Sequence, residues 1–376
     1  MNKKIRVAIL MGGKSAEHEV SLQSAKSIFE ALDKSKYEPV LIGIDKEGAW
    51  HLLQSGQFLV NPDNPKTIAL NLPRRALPGG ANAPEPLSIQ MAQNQPIGPI
   101  DVVFPVLHGP MGEDGTVQGL LKLLNIPFVG AGVIGSAIGM DKDVMKRLFR
   151  EAGLPTAKFL VYRAHEMDRI RFSQVAKALG VPFFIKPANL GSSVGIHKVA
   201  EEAAFEKALQ DAFQYDSKII VEEYIAGREI ECSVLGNEWP IASLPGEVIP
   251  SHEFYSYEAK YIDENGALLQ IPANLPENLV KEIQSLAIRA FQVLCCEGLA
   301  RVDFFLRDNG QILINEINTL PGFTRISMYP KLWEVSGIPY SELIDRLIQL
   351  ALERFEKESR LRTRVNSNTL EDETHL

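Results

Sequence analysis

The sequence predicts an α/β amino-terminal domain built on a parallel sheet, followed by an α+β region with antiparallel strands. Three observations carry this. Ile5 to Met11 is a near-continuous apolar run, as a parallel strand buried on both faces requires; a glycine turn, a helical stretch and a second apolar strand follow it as a βαβ unit. From Lys142 onward the helical stretches are short and the strands have antiparallel character. Near the end, Asp308-Asn309-Gly310 separates two strand-like runs, and Asn-Gly is the strongest short signal for a hairpin.

The elements follow in order. After Gly12-Gly13, Ser21 is placed to cap a helix whose Leu22, Ala25, Phe29 and Leu32 fall at helical spacing. Val40 to Ile44 is the next strand. Residues 61–99 hold eight of the 23 prolines and few charges, which reads as an irregular surface excursion. Strand character resumes at 101–107, then a helix over Thr116 to Asn125 and a short strand over Ile126 to Val129. Asp141 to Ala152 and Phe172 to Leu179 read as helices; Lys158 to Tyr162, Pro182 to Lys186, Ile219 to Tyr224 and Glu229 to Leu235 read as strands. A loop (250–272), an amphipathic helix carrying Leu279, Ile283, Leu286, Ala290 and Leu294, the hairpin, and a last helix from Tyr340 to Lys357 complete the chain. The expected division is 1–140, 141–235 and 236–358, with 359–376 a tail that lacks periodicity and is expected to be disordered.

Composition narrows function. The chain has 376 residues, enough for two or three domains and a large core without staples. Thirty-nine basic against 47 acidic residues give a net charge of −8, which argues against a general nucleic-acid binder. No apolar run approaches the roughly 18 residues of a membrane span. The run Val7 to Met11 is too short for a secretion signal, and three cysteines make no disulfide framework or zinc spacing. Cytosol is the expected compartment.

Three motifs mislead. Gly12-Gly13-Lys14-Ser15 resembles the end of a P-loop, but Ala8 stands where its first glycine belongs. Gly130-Ala-Gly132-Val-Ile-Gly135 matches G-x-G-x-x-G outside the first βα turn, and reads as a tight strand-to-helix turn. Gly191-Ser-Ser193-Val-Gly195 matches G-x-S-x-G, but a strand rather than a helix follows it. It reads as a flexible loop whose backbone N–H groups approach phosphates.

The hairpin carries the metal argument. With Asn309-Gly310 as a two-residue turn, Asp303 faces Glu316 and Arg301 faces Asn318, all on one side. Val302, Phe304, Leu313, Asn315 and Ile317 take the other. Two carboxylates directly opposite, with β-carbons roughly 4.5–5.5 Å apart, repel. A solvated pair is one reading; a divalent cation held by Asp303, Glu316 and Asn318 is the better one, since hard oxygens suit Mg²⁺ with substrate phosphates. Arg301 beside them is placed to steady developing negative charge.

Asp303 with Glu316-Ile-Asn318, Phe184-Ile-Lys186-Pro187 and the Gly/Ser loop together resemble the ATP-grasp fold, in which ATP lies between two antiparallel-sheet subdomains. More closely, the chain resembles D-alanine–D-alanine ligases. The matching stretches include Met11 to Ser21, Leu107-His108 to Gly115, Gly139 to Lys142, Gly191 to Gly195, Tyr257-Glu-Ala-Lys260-Tyr261, Arg301 to Asp303 and Asn315 to Gly322, in family order. The resemblance implies ATP-dependent ligation of two D-alanines through a D-alanyl phosphate, for peptidoglycan precursor synthesis in a bacterial cytoplasm. It implies ATP as substrate, two Mg²⁺ ions with Mn²⁺ and K⁺ as further candidates, a homodimer, and no nucleic-acid or membrane partner. By the same resemblance Glu17 holds the first D-alanine's ammonium, with His108 lining that subsite. Ser192 and Tyr261 bridge to Glu17 and close the 250–272 loop, and Lys260 lies near the transferred phosphate. Lys142, Lys186 and Ser193 serve ATP phosphates. Glu222, Glu223 and Ile225 belong to the adenine segment, Glu229 to ribose and Asn315 to the ATP site. Arg301 and the Gly322 N–H form an oxyanion hole, and Ser327 and Met328 receive the second carboxylate. Relatives that make D-alanyl-D-lactate generally carry histidine where Tyr261 stands, so tyrosine favours an amino-acid acceptor. D-serine or D-lactate as second substrate is the alternative.

Overall fold

The computed structural model describes residues 3–72, 98–192, 194–250 and 267–362. The first unit opens with β1 (Ile5–Gly12), α1 (His18–Ala31), β2 (Tyr37–Ile44) and β3 (Trp50–Leu53). A two-stranded hairpin, β4 (Leu59–Val60) with β5 (Ala69–Leu70), begins the expected excursion, whose residues 73–97 lie outside the described ones. Then come β6 (Val102–Val106), α2 (Thr116–Leu123) and α3 (Val133–Met140). The sheet order is β3-β2-β1-β6, with β1 parallel to both neighbours and β3 antiparallel at the edge. Side chains of β1 alternate: Val7, Ile9 and Met11 enter the core beneath α1, while Ala8 and Leu10 pack with Val117 and Leu121 of α2.

Two local expectations change here. Ser21 lies inside α1, because the helix begins a turn earlier with Glu17 at its cap position. The Ser21 hydroxyl accepts the Gly12 N–H at 2.7 Å and donates to the Val106 carbonyl, tying the ends of β1 and β6 to the helix. The strand expected over 126–129 is a single parallel bridge, Phe128 to Val103; α2 stops at Leu123, and Asn125 turns with φ +55°.

The second sheet comprises β7 (Phe159–Arg163), β8 (Phe183–Pro187), β9 (His197–Val199) and β10 (Lys218–Glu223), antiparallel in the order β7-β10-β8-β9. Before it stands α4 (Lys142–Glu151), capped by the Asp141 carboxylate accepting the N–H groups of Asp143 and Val144. Helices α5 (Phe172–Leu179) and α6 (Glu202–Tyr215) cover the sheet through Val175, Phe205, Leu209 and Ala212.

The third sheet takes β11 (Arg228–Gly236), β12 (Ile241–Ala242), β13 (Gly246–Pro250) and β14 (Ala267–Gln270), and after α7 (Glu277–Val293) also β15 (Gly298–Leu306) and β16 (Ile312–Asn318). Its order is β14-β13-β11-β15-β16, with β12 also on β11. Strand β11 pairs with β15 from Arg228↔Leu306 to Gly236↔Gly298, so the chain changes sheets between β10 and β11, not at 235. Core side chains of α7 and α4 cover one face. Helices α8 (Met328–Val335) and α9 (Tyr340–Ser359) end the described chain. Leu343, Ile344 and Leu347 of α9 return to the core beneath β1. Arg354 fastens this closure: its guanidinium, buried over the Phe128 ring, donates to the carbonyls of Phe128 and Gly130. Residues 363–376 of the expected tail lie outside the described ones.

The hairpin register holds at its functional end for a reason the sequence hid. Leu306 faces Ile312 and the Arg307 N–H bonds the Gln311 carbonyl, so the loop is the three residues 308–310, with Gly310 at φ +83°. A bulge between Asp303 and Phe304 then restores the facing pairs Asp303↔Glu316 and Arg301↔Asn318. Between bulge and turn the sides change: Ile312 and Ile314 join the core, while Leu313 leaves the apolar face and packs with Phe305, Ala157 and Ile225. Among the described residues, no helix is long and apolar enough to cross a membrane.

Candidate functional site

The site starts beyond the carboxyl ends of β1 and β6, where an open parallel sheet offers its crevice. Glu17, nearly buried, accepts a hydrogen bond from the Ser192 hydroxyl. Ser192 holds φ +55°, a left-handed conformation uncommon for a side-chain-bearing residue. Gly109 lies close by at φ +79°, a conformation that favours glycine, and a β-carbon there would stand 2.7 Å from the Ser15 hydroxyl and 2.9 Å from the Glu17 carboxylate. His108 is 5% exposed and donates from Nδ1 to the Leu320 carbonyl at 3.0 Å. Its Nε2 is 3.4 Å from the Ser24 hydroxyl, which accepts the Phe323 N–H. Burial opposes charge on this imidazole, but the Glu113 and Glu17 carboxylates and the Leu320 carbonyl raise its pKa above the ordinary value.

Three lysines converge from α4 and β8. Lys142 reaches the Leu190 carbonyl at 2.9 Å and Glu316 at 3.3 Å, joining the third sheet to the 188–195 loop. One turn on, Lys146 is 1% exposed and its Nζ sits 2.9 Å from Glu222 Oε1. Lys186 takes Oε2 of the same carboxylate at 2.7 Å. Burial works against the charges of Lys146, Lys186 and Glu222, yet the two flanking ammonium groups hold the Glu222 carboxyl down to about 2. Burial lowers Lys146, whereas Glu222 and Glu316 raise Lys186 despite burial. The Glu222 side chain is thus held between two lysines, in the segment expected to contact ATP. Lys146 went unrecognised in the sequence; four residues after Lys142, it shares that helix face.

The hairpin face lies opposite. Arg301 makes two parallel bonds to Asp303, both 2.7 Å, and stands 2.9 Å from Glu231. Asn318 donates to Asp303 at 3.0 Å. The facing carboxylates are thus offset by Arg301 and Lys142, and among the described residues no group of three or more His, Cys, Asp or Glu side chains gathers as a metal site. What fits a divalent ion is the donor set: two carboxylates and an amide oxygen on one side of adjacent strands. Glu231, two residues beyond Glu229 and opposite Asp303, was missed although strand alternation points to it.

Other expected residues divide. Gly322 lies close to Ser327: a β-carbon there would stand 3.0 Å from the Ser327 hydroxyl. Ser327 stands at the cap position of α8, but its hydroxyl accepts the Thr324 N–H at 3.0 Å instead of capping. The Met328 side chain is buried with Val248 and Leu332, which leaves only its backbone for a ligand. The Glu223 carboxylate accepts the Lys158 N–H at 2.8 Å. Ile225 lies in the small apolar cluster with Leu313. Glu229 is on β11 facing Phe305, and Asn315 falls in the bulged stretch of β16. Ser193, Lys260 and Tyr261 lie outside the described residues.

Family models of the D-ala D-ala ligase N-terminus and C-terminus match residues 6–131 and 148–349. A D-alanine–D-alanine ligase of Oceanobacillus iheyensis is 55% identical over 360 residues, covering 96% of this chain and 98% of that one. The solved structure of the D-alanine-D-alanine ligase from Coxiella burnetii aligns with TM-score 0.78 at 41% identity, covering 95% and 96%. That of VanG D-Ala:D-Ser ligase from Enterococcus faecalis aligns with the same TM-score at 34% identity, covering 93% and 100%.

Proposed function

The chain belongs to the D-alanine–D-alanine ligase family, and from that premise we propose that its site joins two D-alanines at the expense of ATP, forming ADP. The observation that carries the reading is the meeting of three functions in one cleft. These are a buried carboxylate for an ammonium (Glu17), lysines for phosphates (Lys142, Lys186), and an Arg–Asp–Glu–Asn face for the reacting centre.

Glu17 binds the first D-alanine's ammonium, with Ser192 holding the carboxylate in place and His108 fixing the 320–323 loop behind it. Lys142 and Lys186 neutralise the triphosphate as point charges, which eases transfer of the terminal phosphoryl group to the D-alanine carboxylate. The amine of a second D-alanine then attacks that acyl phosphate, and phosphate leaves. Arg301 and the Gly322 N–H steady the negative oxygen of the tetrahedral intermediate. The second carboxylate meets Ser327 and the α8 amino terminus through the Met328 N–H. Adenine is read by backbone groups of Glu223 and Ile225, and ribose by Glu229. Ser193, Lys260, Tyr261 and Asn315 keep the roles the resemblance implies.

Asp303, Glu316 and Asn318 would hold Mg²⁺, or Mn²⁺ in its place, and the ion would supply Lewis-acid relief of charge on the phosphates. A homodimer, bacterial cytoplasm and a peptidoglycan precursor as destination complete the proposal. D-alanine is preferred to D-serine as acceptor because the curated relatives at 50–55% identity over nearly the whole chain carry the name D-alanine–D-alanine ligase.

The test is ADP release with Mg-ATP and D-alanine against L-alanine, D-serine, and D-alanine with D-lactate, the product weighed by mass. ADP and D-alanyl-D-alanine appearing together only with the D isomer is the expected result. No ADP release from folded protein with any of them overturns the reading.

A further inference from the structure

One buried carboxylate serves two lysines in the wall between α4 and β10. Glu222 is 3% exposed; its Oε1 meets Lys146 and its Oε2 meets Lys186. The two lysines are not equivalent. Lys146 is walled off, its side chain 1% exposed, whereas that of Lys186 is 12% exposed. Lys146 therefore touches no ligand, and the reaction as derived has no use for it. A buried ammonium is costly to desolvate, and a whole buried ion cluster can often be replaced by apolar residues without loss of stability. Its presence calls for an explanation other than packing.

Charge counting supplies one. With Lys146 absent, Glu222 and Lys186 would form a closed pair of zero net charge, and an incoming phosphate would compete with Glu222 for Lys186. With Lys146 present, the cluster carries one surplus positive charge, and half of the carboxylate is occupied from behind. Lys186 is the most exposed member of the cluster, and so the one a ligand can reach. It also lies in the field of Glu316 and Glu229, which deepens its need for a second cation nearby.

We propose that Lys146 is a positioning residue for nucleotide binding: by engaging Glu222 Oε1 it keeps Lys186 from being fully neutralised, so that Lys186 presents net positive charge to a phosphate. The proposal rests on Lys186 being a phosphate-binding group. It predicts a defect that scales with the phosphates of the ligand, not with its adenosine part.

The experiment compares ADP and adenosine binding to the full-length protein by calorimetry, with Mg²⁺ present, for wild type, Lys146→Met and Lys146→Gln. Both variants should bind ADP about tenfold more weakly, as loss of one charge at a few ångströms from the phosphate site implies. Adenosine affinity should stay within about twofold. In turnover, KM for ATP should rise while KM for D-alanine holds. Lys146→Gln keeps a polar partner for Glu222, so it carries the test if the methionine variant does not fold. Equal weakening of ADP and adenosine would make Lys146 a structural residue and overturn the proposal; so would unchanged ADP affinity in a folded variant. If wild type itself binds ADP no better than adenosine, the phosphate reading of Lys186 fails first, and that result is distinct from either outcome in the variants.

Discussion

The lysine wall around Glu222 and the carboxylate face of the last hairpin meet opposite problems with the same device. On the wall, two buried cations share one anion. On the hairpin, Asp303, Glu316 and Glu231 share Arg301 and Lys142. Each surface carries an excess of one sign, held by partners from a neighbouring element. A ligand that fits both must bring negative charge to the first and positive charge to the second, as a nucleotide triphosphate with a divalent cation does. The two surfaces offset one another in sum, one positive charge against one negative, but each keeps its own sign locally, and it is that local sign a ligand meets.

The sharpest way to break it is on the hairpin. Glu316→Gln removes one carboxylate without changing shape; metal-dependent turnover should fall at least about a hundredfold, since Lewis-acid relief is worth several kcal/mol. The fold should survive, because Lys142 keeps the Leu190 carbonyl as a partner. Titration of ADP release with Mg²⁺ reads this, and wild-type activity in that variant would remove the metal assignment.

On the wall the matching change is Glu222→Gln. It leaves two buried lysines without their anion and should cost about 3–5 kcal/mol in urea unfolding near neutral pH. Glu222 is held at about 2, below its ordinary 4.5, so its stabilisation is complete above 4.5 and is lost as pH falls toward 2. The gap between wild type and variant should therefore close across that window. A gap that persists at pH 2 would contradict the ion-pair account.

Smaller effects probe the joints between the surfaces. Ser192→Ala removes the hydroxyl that donates to Glu17, and KM for the first D-alanine should rise about tenfold, in line with a hydrogen bond to a charged group. Steady-state kinetics at fixed ATP checks it. His108→Gln should cost about 1 kcal/mol. Because the native pKa is raised, that contribution is full below about 6.5 and fades as pH rises through the native value. Thermal unfolding from pH 5 to 9 measures the sign.

Much of this was legible in the chain. Alternation and Asn-Gly place Asp303 opposite Glu316, and the apolar run of β1 announces a buried parallel strand. What escaped the sequence depended on tertiary cancellation. The three-residue loop and the bulge each shift the register by one, so the facing pairs come out as expected for a reason pattern alone does not supply, while Leu313 changes sides. Ser21 looked like a cap because its hydroxyl suits one; in the fold it satisfies Gly12 and Val106. Glu222 stands in a matching segment, but its burial between two ammonium groups is a tertiary arrangement that the segment does not encode. The return of α9 to the first sheet joins residues more than 300 positions apart, such as Tyr37 with Asp345, and no local signal encodes that.

The central claim is that the two surfaces bring the terminal phosphate of ATP to a D-alanine carboxylate. Turnover of D-alanine labelled with heavy oxygen in its carboxylate, followed by mass analysis of the inorganic phosphate, tests it most directly. One heavy oxygen in each phosphate released is the predicted result. Unlabelled phosphate accompanying D-alanyl-D-alanine would contradict an acyl phosphate and with it this account of the site.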